Sequence, residues 1–395
     1  MIDFPVSIAH LLQPIALETF LSRYYDREQL VIDRGVPSHY DALAGLETLD
    51  DILCATQLGA DDVHIADDSR GIDREEYLYG DEKVDAVRVQ RLFDQGATIS
   101  LRSLQSKVPA LARLCRNAEQ QFSCAFQANL YFTPAHAQGF KTHHDTHDVF
   151  VLQLAGSKEW RTYQPVVSLP LPGQRYYWEK PPQGPPARTF TLRAGDLFYC
   201  PRGIPHDARA GSEASVHVSL GALVTTWTEF LLEMVADVAL RDPAFRAGLP
   251  PGYATSDSPP EVLDQYLREL MTRLQVQSRP RHVLDLMAKR FILSRPALIS
   301  GQRRTLQAAA ALTLDSRVGG RQGLLYRMGE HRQKITLFCN SRQIVFPRFT
   351  AAALKFALSN PSFAPRELPG SLTDAAKIVL VRRLMREGMV VAVAG

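Results

Sequence analysis

The sequence predicts an α+β protein: a β-rich middle folded as a sandwich or small barrel, helices on either side of it, and a mixed helix–strand end. Three observations carry this. Between about Phe122 and Leu223, short apolar runs alternate with Gly/Pro-containing separators, the texture of many short strands. Near Thr226 that texture gives way to helical spacing, opened by Thr226 and Glu229 placed as a capping box. After about residue 320, strand-like pieces surround two helical stretches.

The elements follow in order. Residues 15–31 read as a helix leading into a strand at QLVID. The runs QANLYF, DVFVLQL, EWRTY, TFTL, DLFYCP and VHVSLGA read as strands, separated by AGS, RAGD and PRGIP. WTEFLLEMVADVAL reads as a helix, and the Pro/Gly/Ser-rich stretch GLPPGYATSDSPP as a loop. Leu263, Tyr266, Leu267, Leu270 and Leu274 then recur at helical spacing, a stripe that serves either core packing or self-association. KITLFC, QIVFP and GMVVAV read as strands, and 350–358 and 373–387 as helices; by order alone this is a winged-helix pattern.

Composition bounds the function classes. At 395 residues, with 45% hydrophobic and 22% charged, the chain can bury a full core and is expected to hold two or three domains. It shows no run long enough for a membrane span, and its start does not read as a secretory signal. Five scattered cysteines without a CxxC fit a reducing, cytoplasmic setting and argue against a cysteine zinc site. The net charge of +3 conceals an asymmetry: residues 321–395 hold twelve Lys/Arg against four acids, so this end is +8 and the first 320 residues are −5. Such a split suggests different partners for the two regions.

The densest chemistry lies in KTHHDTHDVFVLQLAGSKEW. Residues two apart on an extended chain face the same way, so His143 and Asp145 can meet one metal ion while His144 points away. His206, at the end of the turn in GDLFYCPRGIPHDA, is the best third ligand. Two imidazoles and one carboxylate with open positions suit a non-haem Fe(II) that activates O2; a zinc hydrolase more often pairs three ligands with one water. His144 and His147 read as neighbours of the site or solvated residues, and His217 as a strand residue near it. Lys158, opening the strand after the AGS turn, can pair with the distal carboxylate of a dicarboxylate co-substrate. Asn129 and Tyr131 share a strand face and can line the same pocket, and Ser219 can add a hydroxyl.

HHDTHDVFVLQLAGSKEW together with GDLFYCPRGIPHDA resembles the JmjC-type 2-oxoglutarate oxygenases, and most of all the ribosomal oxygenases, which hydroxylate side chains of large-subunit ribosomal proteins. The resemblance implies iron ligation by His143, Asp145 and His206, and a 2-oxoglutarate site at Lys158 with Asn129, Tyr131 and Ser219 around it. It implies a double-stranded β-helix core (the jelly roll of JmjC and cupin proteins), a helical dimerisation domain and a C-terminal winged helix. The expected boundaries are 1–225, 226–309 and 310–395. It also implies a homodimer with Fe(II), 2-oxoglutarate and O2 as cofactor and co-substrates, acting on an Arg or His side chain of a ribosomal protein. A peptide natural-product precursor is the related alternative. Two other classes stay open: a nucleic-acid-associated winged-helix protein with a secondary metal site, and a non-oxidative cupin enzyme such as an isomerase. Contact with rRNA through the basic end would reconcile the first of these with hydroxylation. The chain departs from the family pattern in its extra histidines, His144 and His147, and in the strongly basic end.

Overall fold

The computed structural model describes residues 7–43, 46–80, 82–176, 182, 184–254 and 260–393. The chain divides into two compact units, residues 1–224 and 225–395. In the first unit, helices α1 (Ile8–Leu12) and α2 (Leu17–Thr19, extended by one wider turn to Tyr24) precede strand β1 (Leu30–Ile32). Then come α3 (Leu46–Ala55), β2 (Val63–Ala66), the short pair β3 (Leu78–Tyr79) and β4 (Lys83–Val84), α4 (Ala86–Asp94), β5 (Thr98–Leu101) and α5 (Pro109–Phe122). The β-rich middle follows as β6 (Ala125–Thr133), β7 (Asp148–Ala155), β8 (Ser157–Thr162), β9 (Arg188–Arg193), β10 (Leu197–Cys200), β11 (His206–Ala210) and β12 (Ser215–Leu223). Every run read as a strand is one, and β11, read as the end of a turn, is an additional strand that starts at His206.

Two antiparallel sheets result. The larger runs β1-β10-β7-β12-β6-β5-β2 and the smaller β11-β8-β9. Side-chain alternation sorts each central strand between two environments. Phe126, Ala128, Leu130, Phe150, Leu152, Val218 and Leu220 face outward onto the helices, where Leu11, Phe20, Leu111 and Leu114 complete one core. Val149, Val151, Phe198 and Cys200 face inward and meet Trp160 and Leu192 of the smaller sheet in a second core. This explains why DVFVLQL reads as an unbroken apolar run: β7 is covered on both faces. The inward face of the larger sheet also carries polar residues, and they form the site.

Two turns fix its geometry. Gly156, between β7 and β8, has φ +62°, and a Cβ there would lie 2.2 Å from the Ala214 carbonyl oxygen. Gly203 in the PRGIP turn has φ +88°, and a Cβ there would lie 2.4 Å from the Val167 carbonyl oxygen. Only glycine fits either position.

The second unit begins with α6 (Trp227–Ala239), whose first turn is closed by the expected capping box: the Glu229 amide donates to Thr226 Oγ1 at 3.2 Å. Helices α7 (Pro260–Gln277), α8 (Pro280–Ser294) and α9 (Gln302–Ala310) follow. The described part of the predicted loop before α7 has no helix or strand; its residues 255–259 lie outside the described residues. Strands β13 (Val318–Gly320) and β17 (Val390–Ala392) pair, and β14 (Tyr326–His331), β15 (Lys334–Cys339) and β16 (Arg342–Pro347) form a three-stranded sheet. Helices α10 (Ala351–Ser359) and α11 (Asp374–Arg386) complete a core around Leu337, Leu354, Phe363 and Leu384. The stripe on α7 is divided: Leu263, Tyr266 and Leu267 are exposed, Leu267 at 58%, whereas Leu270 and Leu274 are half-buried. Among the described residues no helix is long and apolar enough to cross a membrane.

Candidate metal centre

His143 and Asp145 precede β7 in a segment that is not a regular strand, a correction to the strand argument for their facing. Their common direction comes from an isolated bridge instead. The His143 amide donates to the His206 carbonyl at 3.1 Å, and the His206 amide to the His143 carbonyl at 2.7 Å. A third bond, from the Gly203 amide to the Asp145 carbonyl at 3.0 Å, ties the PRGIP turn to the same segment. Three backbone bonds thus bring together residues far apart in sequence.

Side chains of His143, Asp145 and His206 converge, with one ligand atom from each within 4.8 Å of the others. His206 Nε2 lies 3.7 Å from Asp145 Oδ2. The two imidazoles are oriented alike by the backbone: His143 Nδ1 bonds the Lys141 carbonyl at 2.8 Å and His206 Nδ1 the Ile204 carbonyl at 3.0 Å. A carbonyl can only accept, so Nδ1 carries the proton in each ring and Nε2 the lone pair, the arrangement metal-binding histidines use. Burial, helped by neighbouring His143 and opposed by Asp145, pushes His206 down to about 4, so it is a neutral ligand at neutral pH. Burial acts to raise the Asp145 carboxyl, but the four surrounding imidazoles of His143, His147, His206 and His144 hold it below its usual range. The donor set therefore fits a divalent transition metal held on one face.

These residues open into a cavity of about 110 Å³ that Lys158, Asn129, Tyr131 and Ser219 also line. All seven residues predicted for the site are thus brought together. His144 turns away, its Nε2 bonding the Gln174 carbonyl at 3.1 Å and its ring edge-on to Tyr176. His147 stays at the cavity, over Gly221, where a Cβ would lie 2.7 Å from its ring. His217 is in the wall, stacked on Tyr131 at 4.8 Å between ring centres. Asn129 Oδ1 accepts from the Ser103 amide at 3.0 Å and from Gln127 Nε2 at 3.3 Å, which leaves its amide N–H groups as donors.

Lys158 is 5% exposed, and its Nζ donates to Thr133 Oγ1 at 2.8 Å. Burial alone drives its pKa down to about 7. Among the described residues no carboxylate pairs with it. Such a buried ammonium is costly unless an anion arrives.

Sequence reading missed three supporting groups. Thr133 lies two residues beyond Tyr131 on the same strand face, so alternation alone would have found it. Trp160, two beyond Lys158, seals the cavity between the sheets. Asp148 is wholly buried and accepts from the Arg202 amide (3.1 Å), Arg202 Nη1 (3.0 Å) and the Tyr199 hydroxyl (2.6 Å), and Arg202 also pairs with Asp26. This clamp joins the strand after Asp145 to the turn before His206, a long-range pairing no local signal shows.

The inward-facing His–Asp–His set lies within residues 101–230, which match the model of the JmjC domain. By sequence the chain is similar to proteins named ribosomal oxygenases. It is 32% identical over 302 residues to ribosomal oxygenase 2 of Rattus norvegicus, covering 72% of this chain and 63% of that protein. It is 31% identical over 259 residues to the bifunctional lysine-specific demethylase and histidyl-hydroxylase NO66 of Dictyostelium discoideum, covering 62% and 49%. The chain thus spans less than two thirds of the length of these relatives. Among solved structures, E. coli ycfD superposes with a TM-score of 0.58 at 17% identity, covering 95% of this chain and 98% of that one. The E. coli ribosomal oxygenase YcfD in complex with cobalt and 2-oxoglutarate superposes with a TM-score of 0.53 at 17% identity, over the same shares. At such identity these two speak for the fold.

Proposed function

We propose that the protein is an Fe(II)- and 2-oxoglutarate-dependent protein hydroxylase that acts on an Arg or His side chain of a ribosomal protein. The observation that carries this is the pairing, in one cavity, of a His143–Asp145–His206 donor set with a buried lysine that has no carboxylate partner among the described residues. His143, Asp145 and His206 would hold the metal. Bound Fe(II) with O2 and 2-oxoglutarate supplies a two-electron oxidation that yields succinate, CO2 and a hydroxylated carbon. The protein's own part is positioning. Lys158 neutralises the distal carboxylate of the co-substrate, while Asn129, Tyr131 and Ser219 offer polar contacts along its length. Val149, Val151, Trp160 and Phe198 keep the cavity walls apolar and exclude water. His147 lines the same cavity over Gly221 and so shapes what it accepts. The relatives' printed names, ribosomal oxygenase and histidyl-hydroxylase, support the substrate class. The test is incubation of the full chain with Fe(II), 2-oxoglutarate and ribosomal proteins, followed by mass spectrometry. A gain of one oxygen atom on a defined Arg or His is expected; no gain on any ribosomal protein overturns this substrate assignment.

We further propose a cytoplasmic homodimer built through the helical segment 226–309, with 310–395 as a winged helix. Exposed Trp227 (80%), Leu232, Leu263, Leu267 and Met271 supply an apolar surface that one chain leaves open. All five cysteines are free, in keeping with a reducing setting. Sedimentation at micromolar concentration should give twice the chain mass, and Leu267→Arg should halve it. A second reading, contact with rRNA, is favoured by the basic end, where Arg332, Lys334, Arg342, Arg348 and Arg383 are exposed. Binding to duplex RNA should weaken steeply with salt, and a flat response excludes phosphate contacts.

A further inference from the structure

The cavity floor is a ladder of paired residues. On β6 the inward positions run Thr133, Tyr131, Asn129, Gln127; opposite them on β12 stand Ser215, His217, Ser219 and Gly221. Successive rungs are about 6.8 Å apart, two residues of extended chain. Lys158 Nζ bonds Thr133 at the first rung, and His147 lies over Gly221 at the fourth. His217 stands on the second rung, next to the ammonium. It is 3% exposed, and its ring is fixed by stacking on Tyr131 and by an edge contact with Trp160 at 5.7 Å. Its Nδ1 is buried without a hydrogen-bond partner among the described residues. A buried imidazole nitrogen without a partner is costly. A polar group held so rigidly beside an unpaired ammonium is placed for the same ligand.

We propose that His217 is a second donor to the distal carboxylate of the co-substrate, sharing it with Lys158, and so selects a dicarboxylate of this length. This rests on the reading of the cavity as a 2-oxoglutarate site. His217 contributes a neutral N–H and Lys158 the charge, so the carboxylate is held by two directions rather than one point charge.

The test uses the full chain loaded with Zn(II), with calorimetric titration of two probes: 2-oxoglutarate, and 2-oxobutyrate, which lacks the distal carboxylate. His217→Phe keeps the aromatic stack and removes the donor. It should weaken 2-oxoglutarate binding by about tenfold to a hundredfold and leave 2-oxobutyrate binding unchanged. His217→Gln, which keeps a donor, should recover most of the loss. Equal weakening of both probes would make the residue merely structural and overturn the proposal, as would no weakening of either. Histidine 15N resonances of the wild-type protein keep the proposal testable if His217→Phe does not fold. The His217 signal, identified by its absence in His217→Gln, should move with 2-oxoglutarate and not with 2-oxobutyrate, and an unmoved signal overturns the proposal. If the wild-type protein binds neither probe, the reading of the cavity itself falls, and this inference with it.

Discussion

Lys158→Met should make the protein more stable and unable to use 2-oxoglutarate. The substitution keeps the length and apolar stem of the side chain and removes the ammonium. Burial lowers the Lys158 pKa from 10.5 to about 7. The unfolded chain holds the proton up to about 10.5, whereas the folded protein releases it above about 7, so the buried charge opposes folding at any pH where the unfolded chain is protonated, and stability rises with pH between the two values. The destabilisation is full below pH 7, shrinks as pH rises, and is gone above about 10.5. At about 1.4 kcal/mol per pH unit, the interval amounts to about 5 kcal/mol. Losing the Nζ bond to Thr133 returns about 1 kcal/mol. Urea unfolding of both proteins between pH 6 and pH 10 measures the difference. Lys158→Met should be ahead by about 3–4 kcal/mol at pH 6–7, and the lead should close towards pH 10. Added 2-oxoglutarate with metal should stabilise the wild type alone. A lead independent of pH, or a variant less stable throughout, would refute the claim that a charged lysine is buried here without an anion.

Other expectations test the surrounding structure. By the same titration, affinity of the wild type for 2-oxoglutarate should fall as pH rises above about 7, because the free site then loses the ammonium that binds the carboxylate; a pH-independent affinity contradicts this role. Arg202→Met leaves Asp148 buried with one charged partner fewer, and should cost about 3 kcal/mol in urea unfolding and weaken metal binding by loosening the turn before His206. Gly221→Ala places a methyl 2.7 Å from the His147 ring, and should raise KM for the protein substrate while leaving 2-oxoglutarate binding within about twofold. Asp145→Ala should abolish metal binding measured by Co(II) titration, whereas His144→Ala, whose ring bonds Gln174 outside the cavity, should leave it intact.

The β core was legible because alternation and turn residues act locally: each strand from β6 to β12 but one coincides with an apolar run bounded by Gly or Pro. The exception, β11, reads as HDARA, too polar to declare itself, and it is a strand because β8 beside it supplies the pairing. The metal set was legible through residue chemistry and order. Its geometry was not, since His143 is positioned by a bridge to His206 across more than sixty residues rather than by a strand of its own. The Asp148–Arg202 clamp was hidden for the same reason. On α7, spacing announced an apolar stripe but could not say whether the chain itself covers it, because burial depends on what packs opposite.

The central claim is that His143, Asp145 and His206 hold a redox-active metal whose work requires 2-oxoglutarate. Succinate formation by the full chain, followed with and without Fe(II) and with and without O2, tests it most directly. Succinate should appear only when Fe(II), 2-oxoglutarate and O2 are all present, rise with added ribosomal protein, and vanish in Asp145→Ala. Equal succinate from Asp145→Ala, or none from the wild type under any of these conditions, would contradict the account.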